Sequence, residues 1–154
     1  MKLTDLEIGY LAGLFDGEGC VGYYKRSTHG TPYHSASLHI CLTDQIVTDW
    51  IMDKVGYGKV SRCLKPVGRR TAYSWQLCNR HQIREVLEVI RPLLLVKATQ
   101  VDVLLSLWQI EDKLDQGPNH VDANLIALRQ ETANTIKQLK TESVETRRAG
   151  SSIH

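Results

Sequence analysis

A chain of 154 residues, 42% of them hydrophobic, is long enough to bury one core and too apolar to remain disordered throughout. No apolar run approaches the roughly 18 residues of a membrane-spanning helix, and the N-terminus lacks the basic-then-apolar order of a signal peptide. The net charge is only +2, yet residues 20–80 hold nine Lys or Arg and three acids, a local charge of +6. Residues 98–154 hold six Lys or Arg and eight acids, a local charge of −2. A basic middle segment indicates either a polyanionic partner or an ordinary solvated surface.

Cysteine usage favours an intracellular protein with reduced thiols, in an organelle or in a bacterial or archaeal cytoplasm. The four cysteines are widely spaced and form no CxxC pair, as is typical of such proteins. A zinc site that uses them together with histidines is the less favoured alternative, because the ligand spacing does not fit one. The cysteines are Cys20, Cys41, Cys63 and Cys78.

Capping signals and hydrophobic periodicity predict the elements in chain order. Thr4 and Glu7 form a capping box, so the first helix is predicted to begin at Asp5 and to end at the glycines that follow Asp16. The other predicted elements are two strands within 20–43, a helix over 44–55, two strands within 59–78, a helix from about 79 to before Pro92, a helix over 97–116 and a final helix from about 121.

This order predicts an α+β fold, αββαββα, with a four-stranded antiparallel sheet, helices on one face and trailing C-terminal helices. Residues 1–144 are expected to form a single domain, and residues 145–154 a polar, flexible tail. The sheet face away from the helices, here called the saddle, is polar and basic. One solvated face is normal in an antiparallel sheet, but a face that is also the most basic part of the chain is a candidate surface for binding DNA. Its members are Tyr24, Arg26, Ser35, Ser37, His39, Lys59, Ser61, Lys65, Ser74 and Gln76.

The stretch LAGLFDGEGC places two carboxylates, Asp16 and Glu18, among glycines where a helix ends. The negative end of a helix dipole disfavours acids by a few tenths of a kcal/mol or more, roughly. A compensating positive group is therefore expected there, and a metal cation is the obvious candidate.

The segment LAGLFDGEG, residues 11–19, resembles the signature of the LAGLIDADG homing endonucleases. It departs from that signature at Phe15, Gly17 and Glu18, and the wider resemblance covers roughly residues 4–110. The resemblance implies a site-specific, divalent-metal-dependent and intron-encoded enzyme that makes a double-strand break in a long pseudo-palindromic DNA target. An RNA-splicing maturase, a DNA-binding protein without cleavage and a small structural domain are the alternatives. A membrane or a small-molecule substrate is not expected.

The same resemblance implies roles for individual residues. Glu18 stands at the family's metal-binding acid and the Gly17 carbonyl is a further ligand, for Mg²⁺ or Mn²⁺, with Ca²⁺ expected to support binding without cleavage. Lys97 falls where the family has a basic catalytic residue, and its alternative is an ordinary surface lysine. Asp44 falls where some relatives carry a solvent-positioning Gln, and it is equally a helix N-terminal residue. Thr48 stands where the resemblance implies an Arg, and this departure weakens the case for an intact solvent network.

A single motif copy implies a homodimer whose motif helices pack against each other. Gly9, Gly13 and Gly17 recur every four residues with Ala12 alongside, and such a stripe lets two helices approach closely. The alternative is that Gly13 fits under the protein's own sheet. Asp16 is predicted either to support the turn after the helix or to take part in the dimer contact.

Overall fold

The computed structural model describes residues 1–63, 70–114 and 122–150, with the side chains of the last segment as far as Glu142. The predicted αββαββα order is present, followed by a 3-10 turn and two more helices, so the α+β prediction is confirmed. The elements are α1 (Asp5–Glu18), β1 (Gly19–Thr28), β2 (Thr31–Leu42), α2 (Gln45–Val55), β3 (Lys59–Cys63), β4 (Ala72–Leu77), α3 (Arg80–Ile90), the 3-10 turn (Arg91–Leu93), α4 (Ala98–Lys113) and α5 (Ala123–Gly150).

Polar caps at the N-termini begin two of the helices where the sequence predicts them. The capping box of α1 is formed, because Glu7 donates its N–H to the Thr4 hydroxyl and its carboxylate accepts the Thr4 N–H at 2.8 Å. Asn79 caps α3 by accepting from the N–H groups of His81 and Gln82, at 3.0 and 3.2 Å. Gly19 follows α1 in an extended conformation and leads directly into β1.

The four strands form one sheet in the order β1-β2-β4-β3. Strand β4 pairs antiparallel with both β2 and β3. In the β2–β4 register Leu38 lies opposite Leu77 and Ile40 opposite Trp75, and all four side chains are fully buried. Because side chains alternate across a strand, the residues between them point to the opposite face. The apolar alternation of the sequence therefore fixes which face of the sheet is buried.

The chain divides into two compact units, residues 1–22 with 35–97 and residues 23–34 with 98–154. In the first unit α1 packs against α3 and the 3-10 turn, and α2 packs against β3 and β4. Phe15, Trp75 and Ile83 are among the buried side chains of this unit.

In the second unit α4 packs against α5. The buried residues Leu104 and Trp108 of α4 and Ile136 of α5 belong to it. The two helices are also joined by an ion pair, in which Arg129 Nε lies 2.6 Å from a carboxylate oxygen of the half-buried Glu111. The desolvation of two charges offsets much of their attraction, so this pair by itself is weak evidence for strong association of the helices.

The last helix is longer than the sequence predicts. Helix α5 continues to Gly150, past residue 144 where the predicted domain ends, because the segment consists mostly of good helix formers and contains no proline. The predicted turn between β3 and β4, including Lys65, lies largely outside the described residues. No helix within the described ranges is long and apolar enough to cross a membrane. The four cysteines are free thiols.

Candidate active site and nucleic-acid interface

The C-terminal end of α1 is tied to the segment just before α4 by the side chain of Asp16. Its carboxylate accepts the N–H of Leu95 at 2.7 Å, and those of Val96 and Lys97 at 3.2 and 3.0 Å. Three backbone donors thus stabilise the negative charge that the helix dipole disfavours. The arrangement agrees with a role of Asp16 in supporting the chain around it.

Lys97 is only 8% exposed, so the alternative of an ordinary surface lysine does not hold. Its ammonium group donates to the main-chain carbonyl oxygen of Asp16, in the last turn of α1. A cation at a helix C-terminus is favourable, and the last turn of α1 has no basic residue of its own. Lys97 is therefore held at the end of the motif helix from a segment 81 residues away in sequence.

Glu18, two residues after Asp16, has the opposite setting. It is exposed, as is Gly17, and within residues 1–63, 70–114 and 122–150 no hydrogen bond or ion pair engages its carboxylate. The described residues contain no cluster of three or more His, Cys, Asp or Glu side chains placed to hold a metal ion. One chain thus presents a single carboxylate at this point, and Mg²⁺ is usually held by one or two carboxylates together with water and substrate phosphates.

The glycine stripe of α1 faces open space. A Cβ built on Gly9, Gly13 or Gly17 would meet no atom within 4 Å, so Gly13 does not fit under the sheet of its own chain. Ala12 lies on the other side of the helix and is 1% exposed, because one residue along a helix turns the side chain by about 100°. It therefore belongs to the core rather than to an exposed stripe.

Two rows of polar residues cross the exposed face of the sheet in the first unit. His39 lies opposite Gln76, which lies opposite Lys59 on its other side. The neighbouring row consists of Cys41, Ser74 and Ser61. Directly opposed residues in an antiparallel pair have Cβ atoms roughly 5 Å apart, so each row is a continuous strip of hydrogen-bonding groups.

Other residues predicted for the saddle differ in exposure. Ser35 is half-buried, whereas Ser37 is only 4% exposed and does not contribute to the accessible face. In the second unit Tyr24 and Arg26 are exposed on β1. The Tyr24 hydroxyl accepts a hydrogen bond from Lys140 of α5, at 3.4 Å.

No protein-family model and no curated protein matches the sequence. Solved structures do match the fold. The homing endonuclease I-CvuI, in complex with a DNA target, superposes with a TM-score of 0.70 at 20% identity over 87% of this chain and 82% of that one. The archaeal intron-encoded homing endonuclease I-Vdi141I, complexed with DNA, superposes with a TM-score of 0.70 at 15% identity over 88% of this chain and 84% of that one. The I-LtrWI LAGLIDADG homing endonuclease, bound to target DNA, gives 0.66 at 15% over 87% of this chain and 45% of that one.

The chain has the LAGLIDADG fold. On this LAGLIDADG fold the two remaining predicted positions lie at α2. Asp44 is the N-cap residue of the helix, is exposed, and makes no capping hydrogen bond with its side chain. Thr48 is fully buried and donates its hydroxyl to the Gln45 carbonyl oxygen at 2.8 Å. A long charged side chain would not fit this environment, which explains why Thr stands here.

Some features of this chain were not predicted. The hydrogen bonds of the Asp16 carboxylate to residues 95–97, here called the Asp16 clamp, join positions about 80 residues apart, and no local pattern indicates them. The contact of Lys140 with Tyr24 was also missed, although the spacing of Lys137 and Lys140 places both near one face of a helix and was available as a signal.

Proposed function

We propose that this protein is a site-specific, divalent-metal-dependent homing endonuclease that acts on double-stranded DNA as a homodimer. The observation that carries the proposal is the pairing, on a LAGLIDADG fold, of an exposed Glu18 carboxylate with a motif helix whose glycine side is open. An acid left without a partner at a helix C-terminus is unfavourable in the single chain. It becomes useful when a second chain and a cation complete the site.

Dimerisation through α1 is supported by what the helix exposes. Besides the open glycines, Leu6 is 87% exposed and Ile46 of α2 is 84% exposed. They line a groove of about 350 Å³ together with Tyr10 and Trp50, whose rings meet edge to face. Exposed apolar side chains that are contiguous mark association surfaces. The chain also matches 45% of I-LtrWI, as expected if two copies of this chain correspond to one chain of that protein.

A two-fold axis beside the glycine stripe would bring two Glu18 carboxylates together. Carboxylate and main-chain carbonyl oxygens are hard ligands, and Glu18 with the Gly17 carbonyl offers both, so the residues fit Mg²⁺ or Mn²⁺ once two chains and DNA phosphates contribute. A bound divalent ion supplies charge neutralisation and an acidified water. Lys97, held at the same helix end, would add positive charge beside the scissile phosphate. Asp44 is proposed to help position the attacking water.

DNA recognition is assigned to the exposed sheet face. The row of His39, Gln76 and Lys59 carries long side chains that can reach base edges in a major groove. The row of Cys41, Ser74 and Ser61 is short, so its part of the readout would pass through water or DNA shape. That I-CvuI and I-Vdi141I are seen with DNA supports the same choice of partner.

The decisive experiment incubates the protein with a randomised palindromic duplex library in Mg²⁺ and sequences the ends that are produced. We expect defined ends from the wild type and none from Glu18→Gln, whose cutting rate should fall at least about 100-fold because a ligand charge is lost. Chelation of the metal should abolish cutting, and Ca²⁺ should allow retention of the same sequences without ends.

Glu131→Gln is the matched control, since it also removes one exposed acid but lies on α5. It should cut like the wild type. Normal cutting by Glu18→Gln would refute the metal assignment. Selective retention without ends, in Mg²⁺, would identify a DNA-binding protein that does not cleave. If the library yields no defined ends and no retained sequences, the assignment moves to RNA.

A further inference from the structure

Helix α5 carries its charges on separate sides, and grooves run along the helix on both. The first, here called the lysine groove, has a volume of about 430 Å³ and lies between the distal part of β1 and α5. Its polar lining consists of Tyr24, Lys25, Gln130, Asn134, Lys137 and Lys140. None of the described residues that line it is acidic. Two of its three lysines, Lys137 and Lys140, thus add positive charge within residues 98–154, a segment whose overall balance is acidic.

The other groove lies between α4 and α5 and has a volume of about 360 Å³. Its charged lining residues are Asp102 and Glu131, and no Lys or Arg occurs among the described residues around it. The two sides of one helix thus differ in sign. A solvated helix surface with no partner usually mixes the two signs, so the segregation indicates a ligand for the positive side.

The lysine groove is also partly ordered. Lys140 Nζ lies 5.4 Å from the centre of the Tyr24 ring and donates to its hydroxyl at 3.4 Å. Gln130 donates its side-chain amide to Asn134, one turn further along α5, at 3.2 Å. A lysine held over an aromatic ring loses less conformational freedom when it binds an anion.

From this geometry we propose that the lysine groove binds the phosphate backbone of duplex DNA beside the target sequence, a surface additional to the sheet face. The inference rests on the proposed function. Lysines act as point charges and provide no paired donors of the kind that reads a base edge, so the contact would be independent of sequence. The groove begins at Tyr24 and Lys25 of β1, directly before Arg26, and Tyr24 and Arg26 are both among the residues predicted from the sequence to face DNA. That continuity favours the same duplex as the ligand.

The test uses the double variant Lys137→Gln/Lys140→Gln and duplexes that contain the target with flanks of increasing length. Binding is measured as a function of salt concentration. We expect about 10-fold weaker binding near physiological salt, and a slope of log K against log salt that is shallower by about 0.9 for each phosphate that the groove no longer neutralises. The order of preference among target sequences should not change. The weakening should be smaller on duplexes too short to reach the groove.

Lys2→Gln/Lys113→Gln is the matched control, because both lysines are exposed and lie outside the groove. Equal salt slopes for the two double variants would overturn the groove assignment. In that case specific binding of duplex DNA by the wild type would still uphold the proposed function. A change in sequence preference would show base reading and would also overturn it. If the wild type binds no duplex specifically, the proposed function fails. Tight binding of structured RNA that depends on Lys137 and Lys140 would then assign the groove to RNA instead.

Discussion

Helix α1 has two sides, and glycine serves a different purpose on each. Directly after the helix, at the first residue of β1, a Cβ on Gly19 would lie 2.5 Å from the Phe15 carbonyl oxygen, so the fold of the single chain requires glycine there. On the other side a Cβ on Gly13 would meet nothing within 4 Å. Among the described residues nothing explains the second glycine, although glycine inside a helix costs about 1 kcal/mol relative to alanine.

The two acids of the motif show the same contrast. Asp16 is half-buried and accepts three backbone N–H groups, so its charge is satisfied by the chain itself. Glu18 is exposed, and no described residue engages its carboxylate. Folding explains the inward set of motif residues, and the proposed dimer and metal ion would account for the outward set. The following predictions test this contrast.

The largest effect is expected for Gly13→Leu. The new side chain has room in the single chain but would occupy the space that a second α1 needs, so the dimer dissociation constant should rise about 100-fold. Analytical ultracentrifugation would measure the mass, and circular dichroism should show unchanged helix content. Ala127→Leu, at an exposed position of α5, should leave the mass unchanged. A dimer that tolerates Gly13→Leu would rule out close packing of the two helices.

Gly19→Ala should act on the fold instead. The added methyl group would collide with Phe15, and the free energy of unfolding should fall by about 1–3 kcal/mol. Urea denaturation measures this value. Gly9→Ala, compared in the same oligomeric state, should be neutral or stabilising by up to about 1 kcal/mol because its Cβ meets nothing. Equal effects of the two substitutions would contradict the difference between the two sides of α1.

Asp16→Ala should affect both stability and cutting. The N–H groups of Leu95, Val96 and Lys97 lose their acceptor, which should cost about 1–3 kcal/mol of unfolding free energy. Because Lys97 is then less well positioned, single-turnover cleavage should slow while DNA affinity is retained. Asp49→Ala, at an exposed position of α2, controls for the loss of one negative charge. Unchanged cleavage by the Asp16 variant would show that Lys97 does not depend on this clamp.

The smallest effect concerns the first turn of α1. A hydrogen bond from Lys54, followed by those from the Thr4 backbone and hydroxyl, lowers the pKa of Glu7 from 4.5 to about 2. Since the folded-state pKa lies below the unfolded one, the stabilisation is fully present above pH 4.5 and is lost as the pH falls toward 2. Glu7→Gln should therefore lower the melting temperature by a few degrees at pH 7 and hardly at all at pH 2. Thermal melts at both pH values would measure this. A loss of equal size at pH 2 would show that the charge is not responsible.

Much of the architecture could be predicted because its signals are local. The Thr4–Glu7 capping box marks the start of α1, and Asn79 marks the start of α3. Their side-chain hydrogen bonds span only two or three residues. The alternation through Leu38 and Ile40 fixes which face of β2 is buried. Capping and alternation depend on neighbouring residues alone, so a sequence pattern is sufficient to identify them.

The site could be predicted only in part. The exposure of Glu18 and of the glycines agrees with the sequence pattern, since the motif places Glu18 and Gly17 at the helix end and the four-residue spacing places Gly9 and Gly13 on the same side as Gly17. The burial of Ala12, Ser37 and Thr48 did not follow from residue type, because small residues fit core and surface equally well.

By itself the sequence determined the αββαββα order, the motif helix and the polar character of one sheet face. Each of these depends on residues that are close along the chain. Only the tertiary structure decided that Lys97 is buried at the end of α1, that Asp16 holds residues 95–97, and that the lysines of α5 face Tyr24 and Lys25. The physical reason is that these contacts join segments 79 to 116 residues apart, and their geometry exists only after the packing of the elements has brought them together.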